Sequence, residues 1–186
     1  MRLDLLAEVA AGKSGGVHAF GLDHEAMGIN RPSLYAAFGN KEALFRKAID
    51  RYVEGPACHA CHVREALGEP TARAVVERLL RGGIEVIASS RNPRGCFMVQ
   101  GALACGDTAD SVRREMAKRR AAGEAALRKR FERALAEGDL PRGADPADLA
   151  RYVVTVTHGI AVQAAGGATR EELQRVAELA MRAWPT

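Results

Sequence analysis

Apolar side chains recur three and four residues apart over most of the chain, and no stretch holds the strict alternation of a half-buried strand. The pattern predicts an all-α fold. Asn40 is placed to cap a helix from Lys41 to about Glu54, on which Leu44, Phe45, Ala48, Ile49 and Tyr52 gather on one face. Gly55-Pro56 ends that helix and marks a boundary between a small head, residues 1–54, and a larger body, residues 55–186. In the body, the spacing predicts a helix from about Thr71 to Ser90, stopped by Asn92-Pro93, and a short apolar segment over Cys96–Cys105. A long charged helix is predicted from about Thr108 to Glu137, closed by Gly138 and Pro141. Asp145-Pro146 opens another over Ala147–Ala165, and Thr169 caps a last one reaching Trp184.

The most informative stretch runs from Ala26 to Phe45. Gly28 gives the backbone freedom to leave one helix abruptly, Ile29 plugs the turn, and Asn30 can cap the next helix. Pro32 falls in that helix's first turn, where a missing N–H costs nothing. Leu34, Ala37 and Phe38 form the buried stripe of a very short helix, leaving Arg31, Ser33, Tyr35 and Ala36 on its outer surface. A two-turn helix with a polar N-terminal end suits a DNA major groove, although the same spacing also makes an ordinary αα-hairpin.

Gly-Ile-Asn-Arg-Pro-Ser-Leu-Tyr-Ala-Ala-Phe-Gly-Asn-Lys-Glu-Ala-Leu, from Gly28 to Leu44, resembles the signature of the TetR family of helix-turn-helix transcriptional regulators. The likeness is specific over about Ala26 to Ala48, and Arg94 to Ala102 resembles a segment of some TetR-like regulators. The resemblance implies a DNA-binding head, with Asn30 capping the recognition helix and Arg31, Pro32, Ser33 and Tyr35 on it, meeting bases or phosphates. Lys41, at the start of the following helix, would bind a backbone phosphate aided by the helix dipole. Upstream of Gly28 the sequence departs from the family. Asp23 and His24 stand where an apolar-Ala pair is expected, and Gly12 to Gly16 break any first helix after Ala11.

For the body, the resemblance implies a small-molecule cavity among the middle helices, with Phe97, Met98, Gln100, Met116, Val154 and His158 as candidate lining residues. Plain core packing is the competing role for each. It further implies a homodimer through the last two helices, where Gly159, Ala161, Ala164 and Ala165 would permit close approach. The function implied is a repressor that binds palindromic double-stranded operator DNA as a dimer and is released by a small-molecule effector. The atypical N-terminal region supports a second reading, a TetR-fold sensor or interaction protein with impaired DNA binding, thiol-based redox or electrophile sensing included.

Charge and cysteine content refine this only slightly. A net charge of +4 is compatible with nucleic acid without demanding it. The opening Met1 to Glu8 carries acids inside its only apolar stretch, and no apolar run has membrane-spanning length, so a cytoplasmic protein with no membrane partner and reduced thiols is expected. Cys58-His59-Ala60-Cys61-His62 matches the string of covalent haem attachment and could supply zinc ligands. With no export signal and no second Cys/His pair, it reads as a polar inter-helix segment holding neither metal nor cofactor. Cys96 and Cys105 read as small buried hydrophobes, although Cys96 follows Arg94 at a helix start, a setting that lowers a thiol pKa. No glycine-rich phosphate loop, no nucleophile elbow and no paired carboxylates in a site-like setting are seen, so no catalytic residue and no enzyme activity are expected.

Overall fold

A computed structural model describes residues 36, 39, 41–54, 59–89, 94–103 and 110–185. Every regular element among them is a helix: α1 Lys41–Glu54, α2 His59–Ala66, α3 Ala72–Ile87, α4 Phe97–Leu103, α5 Asp110–Ala136, α6 Pro146–Ala165 and α7 Arg170–Arg182. The predicted recognition helix residues Asn30 to Tyr35, the side chain of Lys41, and Cys58 and Cys105 lie outside the described residues.

The centre of the body is α3. Ala72, Val75, Val76, Leu79, Leu80, Gly83, Ile84 and Ile87 are all buried, a spacing of three and four that runs the helix's whole length. Thr71 caps it by accepting from the Ala74 N–H at 3.1 Å, and the Asp139 carboxylate accepts from the Ala72 N–H at 2.5 Å. Around α3 pack α2, α6 and α7, with α5 lying along α6. Phe131 of α5 meets Trp184, just after α7, with ring centroids 5.3 Å apart.

Local chemistry explains the helix ends. At the C-terminus of α5, Gly138 takes φ +78°, so the Asp139 N–H reaches Ala134 O and the Gly138 N–H reaches Leu135 O, a Schellman closure that only a left-handed residue allows. Asp145 caps α6 through the Ala147 and Asp148 N–H groups, with Pro146 in the first turn. Thr169 and Glu172 form a reciprocal capping box on α7.

One helix differs from expectation. The Cys58–His62 region was expected to be an inter-helix segment, yet His59 to Ala66 is helical. The cause is on its far side, where Val63, Ala66 and Leu67 form a short apolar stripe packed on the core. Arg130, only 5% exposed, secures the turn that follows, its Nη2 donating to Glu69 O at 2.9 Å and Pro70 O at 3.0 Å.

A candidate ligand cavity tied to the first described helix

Because α5 is long, about 40 Å for its 27 residues, it packs tightly at both ends and less tightly between. Val112 and Met116 are buried near its start, Leu127, Phe131 and Ala134 towards its end. Opposite the intervening turns lies a partly open cavity of about 290 Å³. Its walls are aliphatic, from Leu79, Leu80, Ile84 and Ile87 of α3, Val99 of α4, Leu127 of α5 and Val154 and Ile160 of α6, and polar groups gather at one end. That end holds Arg119, Arg120 and Glu124 of α5 with Thr157 and His158 of α6. An apolar chamber with a few convergent polar groups is the usual form of a small-molecule site.

The charged groups there are unevenly satisfied. Arg119 bonds Glu115 at 2.7 Å and Asp50 of α1 at 2.6 Å. Burial works against its charge, and the two carboxylates outweigh that, holding the guanidinium protonated more firmly than usual. Glu124 pairs with Arg151 at 3.3 Å. Arg120 donates from Nη1 to Met98 O at 2.9 Å and has no carboxylate partner among the described residues. Thr157 donates its hydroxyl to Val153 O at 2.7 Å, leaving its oxygen free to accept.

Burial, and then the neighbouring Arg120 charge, pull His158 below the ordinary histidine value of 6.5, with Glu124 opposing. The folded chain therefore resists protonation more than the unfolded chain does. Stability contributed by the neutral imidazole is full above pH 6.5 and is lost as pH falls through 6.5 towards the lower folded value. Replacing His158 by Gln should accordingly flatten the decline in urea midpoint between about pH 7.5 and 5.5. Parallel declines in the two proteins would contradict this.

Of the six cavity residues expected from the sequence, Met98, Val154 and His158 line it. The other three sit elsewhere. Met116 is fully buried with Ile49 and Val112, and Phe97 packs against that cluster and meets the Tyr52 ring edge-on at 5.6 Å. Gln100 lies beside Gly95, where an added Cβ would stand 2.7 Å from its Nε2 and 3.1 Å from Ala161 O. Gly95 also has φ +93°, so both backbone and space require glycine where α4 meets α6. Sequence reasoning missed Arg119, Arg120, Glu124 and Thr157. Nothing in a helix as charged as α5 marks which arginines turn inward, although Gly123 and Ala122 beside them hint at a thinned wall.

The cavity also reaches α1. Val53 is part of its wall, and the Tyr52 hydroxyl lies 3.9 Å from Sγ of Cys96, a lining residue 4% exposed. With the Asp50–Arg119 pair, three positions within about one turn of α1 touch the cavity wall or residues that line it.

A correction concerns the small residues of α6. Ala161 and Ala164 are buried in this chain's own core, Ala161 in the cavity wall, so neither is free for a partner. Gly159 and Ala165 are exposed, and an added Cβ at Gly159 would meet nothing within 4 Å. On the same outer face stands Val162, and α7 adds Val176 and Leu179, exposed by 44%, 44% and 59%. Among the described residues no helix is long and apolar enough to cross a membrane, and no group of three His, Cys, Asp or Glu residues is placed to hold a metal ion.

Comparison with known proteins agrees with this architecture. Residues 70–180 match the family model of the tetracyclin repressor-like C-terminal domain. The chain is 32% identical over 165 residues to the HTH-type transcriptional repressor ComR of Escherichia coli K12, covering 87% of this chain and 76% of that protein. It is 38% identical to the TetR family transcriptional regulator CifR, solved as a cysteine mutant complexed with 26-base-pair double-strand operator DNA, with a TM-score of 0.88 over 98% of this chain and 95% of that one. A second CifR cysteine mutant on the same length of operator gives 37% identity and a TM-score of 0.83, covering 98% and 92%. The chain belongs to the TetR family of transcriptional regulators.

Proposed function

We propose that this protein is a ligand-controlled repressor and not an enzyme, with a DNA-binding head, residues 1–54, and a sensing and dimerising body, residues 55–186. The observation that carries the reading is the contact between cavity and α1. Val53 lines the chamber, while Asp50 and Tyr52 on the same helix bond Arg119 and the Cys96 thiol. A molecule filling the chamber lies against Val53 and against Cys96 and Arg119, the partners of Tyr52 and Asp50, and α1 directly follows the segment that carries Arg31, Ser33 and Tyr35. Occupancy thereby biases the position of the recognition helix, which is the differential interaction that a ligand switch needs. CifR was solved on operator DNA and ComR is a repressor, and the likeness to both supports double-stranded operator DNA as the partner here. Asn30, Arg31, Pro32, Ser33, Tyr35 and Lys41 are the contact residues of this reading. Deleting the gene should raise transcription from a reporter joined to its upstream intergenic region, and an unchanged or lower signal would argue against repression.

A second reading is favoured by one observation, the presence of Cys96 in the cavity wall at the start of α4. In this reading an electrophile or oxidant modifies the thiol, removes its contact with Tyr52 and moves α1 by the same route. Iodoacetamide would then release the protein from DNA, and Cys96→Ser would abolish that response. Release that persists in the variant would dismiss the thiol.

A further inference from the structure

The charge pattern at the polar end of the cavity selects among ligands. Arg119 is neutralised by Glu115 and Asp50, and Glu124 by Arg151. Arg120 is the exception. It lines the cavity, is half-buried, spends one N–H on Met98 O and meets no carboxylate among the described residues. Beside it, His158 makes no hydrogen bond to another described residue, and the Thr157 oxygen keeps acceptor capacity.

We propose that the effector is a compact carboxylate with an apolar body, its head group paired to Arg120 next to His158 and Thr157 and its hydrocarbon lying against Leu79, Ile84 and Val154. This rests on the cavity being the effector site. A half-buried guanidinium with spare N–H groups beside a largely aliphatic wall has hydrogen-bonding capacity to offer, and a carboxylate is the group that matches its fork. The aliphatic remainder of the wall excludes a sugar, a nucleotide or any other ligand that is polar throughout, because their hydroxyls would be left unpaired. The chamber of about 290 Å³ corresponds to roughly ten waters of liquid, so the ligand has on the order of ten non-hydrogen atoms, or somewhat more if side chains yield.

Octanoate, 1-octanol and octylamine share one body and differ only in the head, and isothermal titration of the intact protein with each separates the possibilities. Octanoate should bind about ten- to a hundredfold more tightly than 1-octanol, the gain of a charge-assisted pair, and octylamine should bind weakest. Arg120→Gln should reduce octanoate to the level of 1-octanol while leaving 1-octanol unchanged. Equal binding of acid and alcohol, or a preference for the amine through Glu124, overturns the carboxylate assignment and leaves the cavity as an effector site. Absence of heat and of thermal stabilisation with all three contradicts both. The wild-type comparison decides the matter even if the Arg120 variant fails to fold.

Discussion

Leu179→Arg should yield a folded monomer. In a single chain this leucine is the most exposed of the large apolar residues described, and Val176 of α7 and Gly159 and Val162 of α6 are exposed as well. Thr155, Gly159 and Val162 recur three and four apart, so the face is a helical stripe, smooth at Gly159 where a second helix could approach closely. In the proposed dimer, two such helix pairs related by a two-fold axis would make a four-helix interface that covers the apolar stripe. Two-fold symmetry doubles the effect of any change there. A buried guanidinium without a partner costs about 3–5 kcal/mol, so the dimer constant should weaken by several orders of magnitude. The helical circular dichroism should survive, because Leu179 takes no part in the core formed by Leu173, Ala177 and Ala180. Ala161→Arg would behave differently and unfold the chain, since Ala161 is buried. Sedimentation of the wild type and the variant at micromolar concentration checks this; a monomeric wild type, or a variant that stays dimeric, removes the proposed interface.

The second large effect is on DNA. Lys41 opens α1, and in the proposed reading it meets a backbone phosphate, which carries no sequence information. Lys41→Ala should weaken binding to all duplexes alike and shallow the salt dependence by roughly one unit of slope per chain. In the proposed reading Arg31 and Ser33 read base edges, so Arg31→Ala should instead erase discrimination between sites, by about 1–3 kcal/mol for a bidentate contact. The two variants thus separate affinity from specificity in one set of anisotropy titrations. Should both leave binding to every duplex unaltered in folded, dimeric protein, DNA recognition by this head would be refuted and the sensor reading would replace it.

The helices of the body were legible because their signals are local. Thr71, Asp145 and Thr169 are caps with the right partners two or three residues on, and Gly138 closes α5 as a left-handed residue. The helix His59–Ala66 was obscured by the cysteines and histidines at its start, although Val63, Ala66, Leu67 and the following Gly68 carry the usual stripe and stop. The cavity was only half legible. Val154 and His158 sit on a strongly patterned helix whose inward face is fixed by its neighbours, whereas α4 has just seven residues, and its rotation depends on Gly95 fitting against Ala161 and Ala165. That packing sends Phe97 towards Tyr52 and Gln100 towards Gly95. Arg119 and Arg120 escaped notice for a different reason. Adjacent arginines on a charged helix look alike in sequence, and the carboxylates of Glu115 and of Asp50, the latter 69 residues away, distinguish the paired one from the unpaired one.

Selection of duplexes from a randomised pool by the wild-type protein tests the central claim most directly, because it assumes no operator. The expected product is a palindrome whose half-sites are separated by about one helical turn or a multiple. A dimer should hold it, with affinity that falls steeply as salt rises. A folded dimer that enriches no sequence, and binds the selected pool no better than the starting one, would contradict the account.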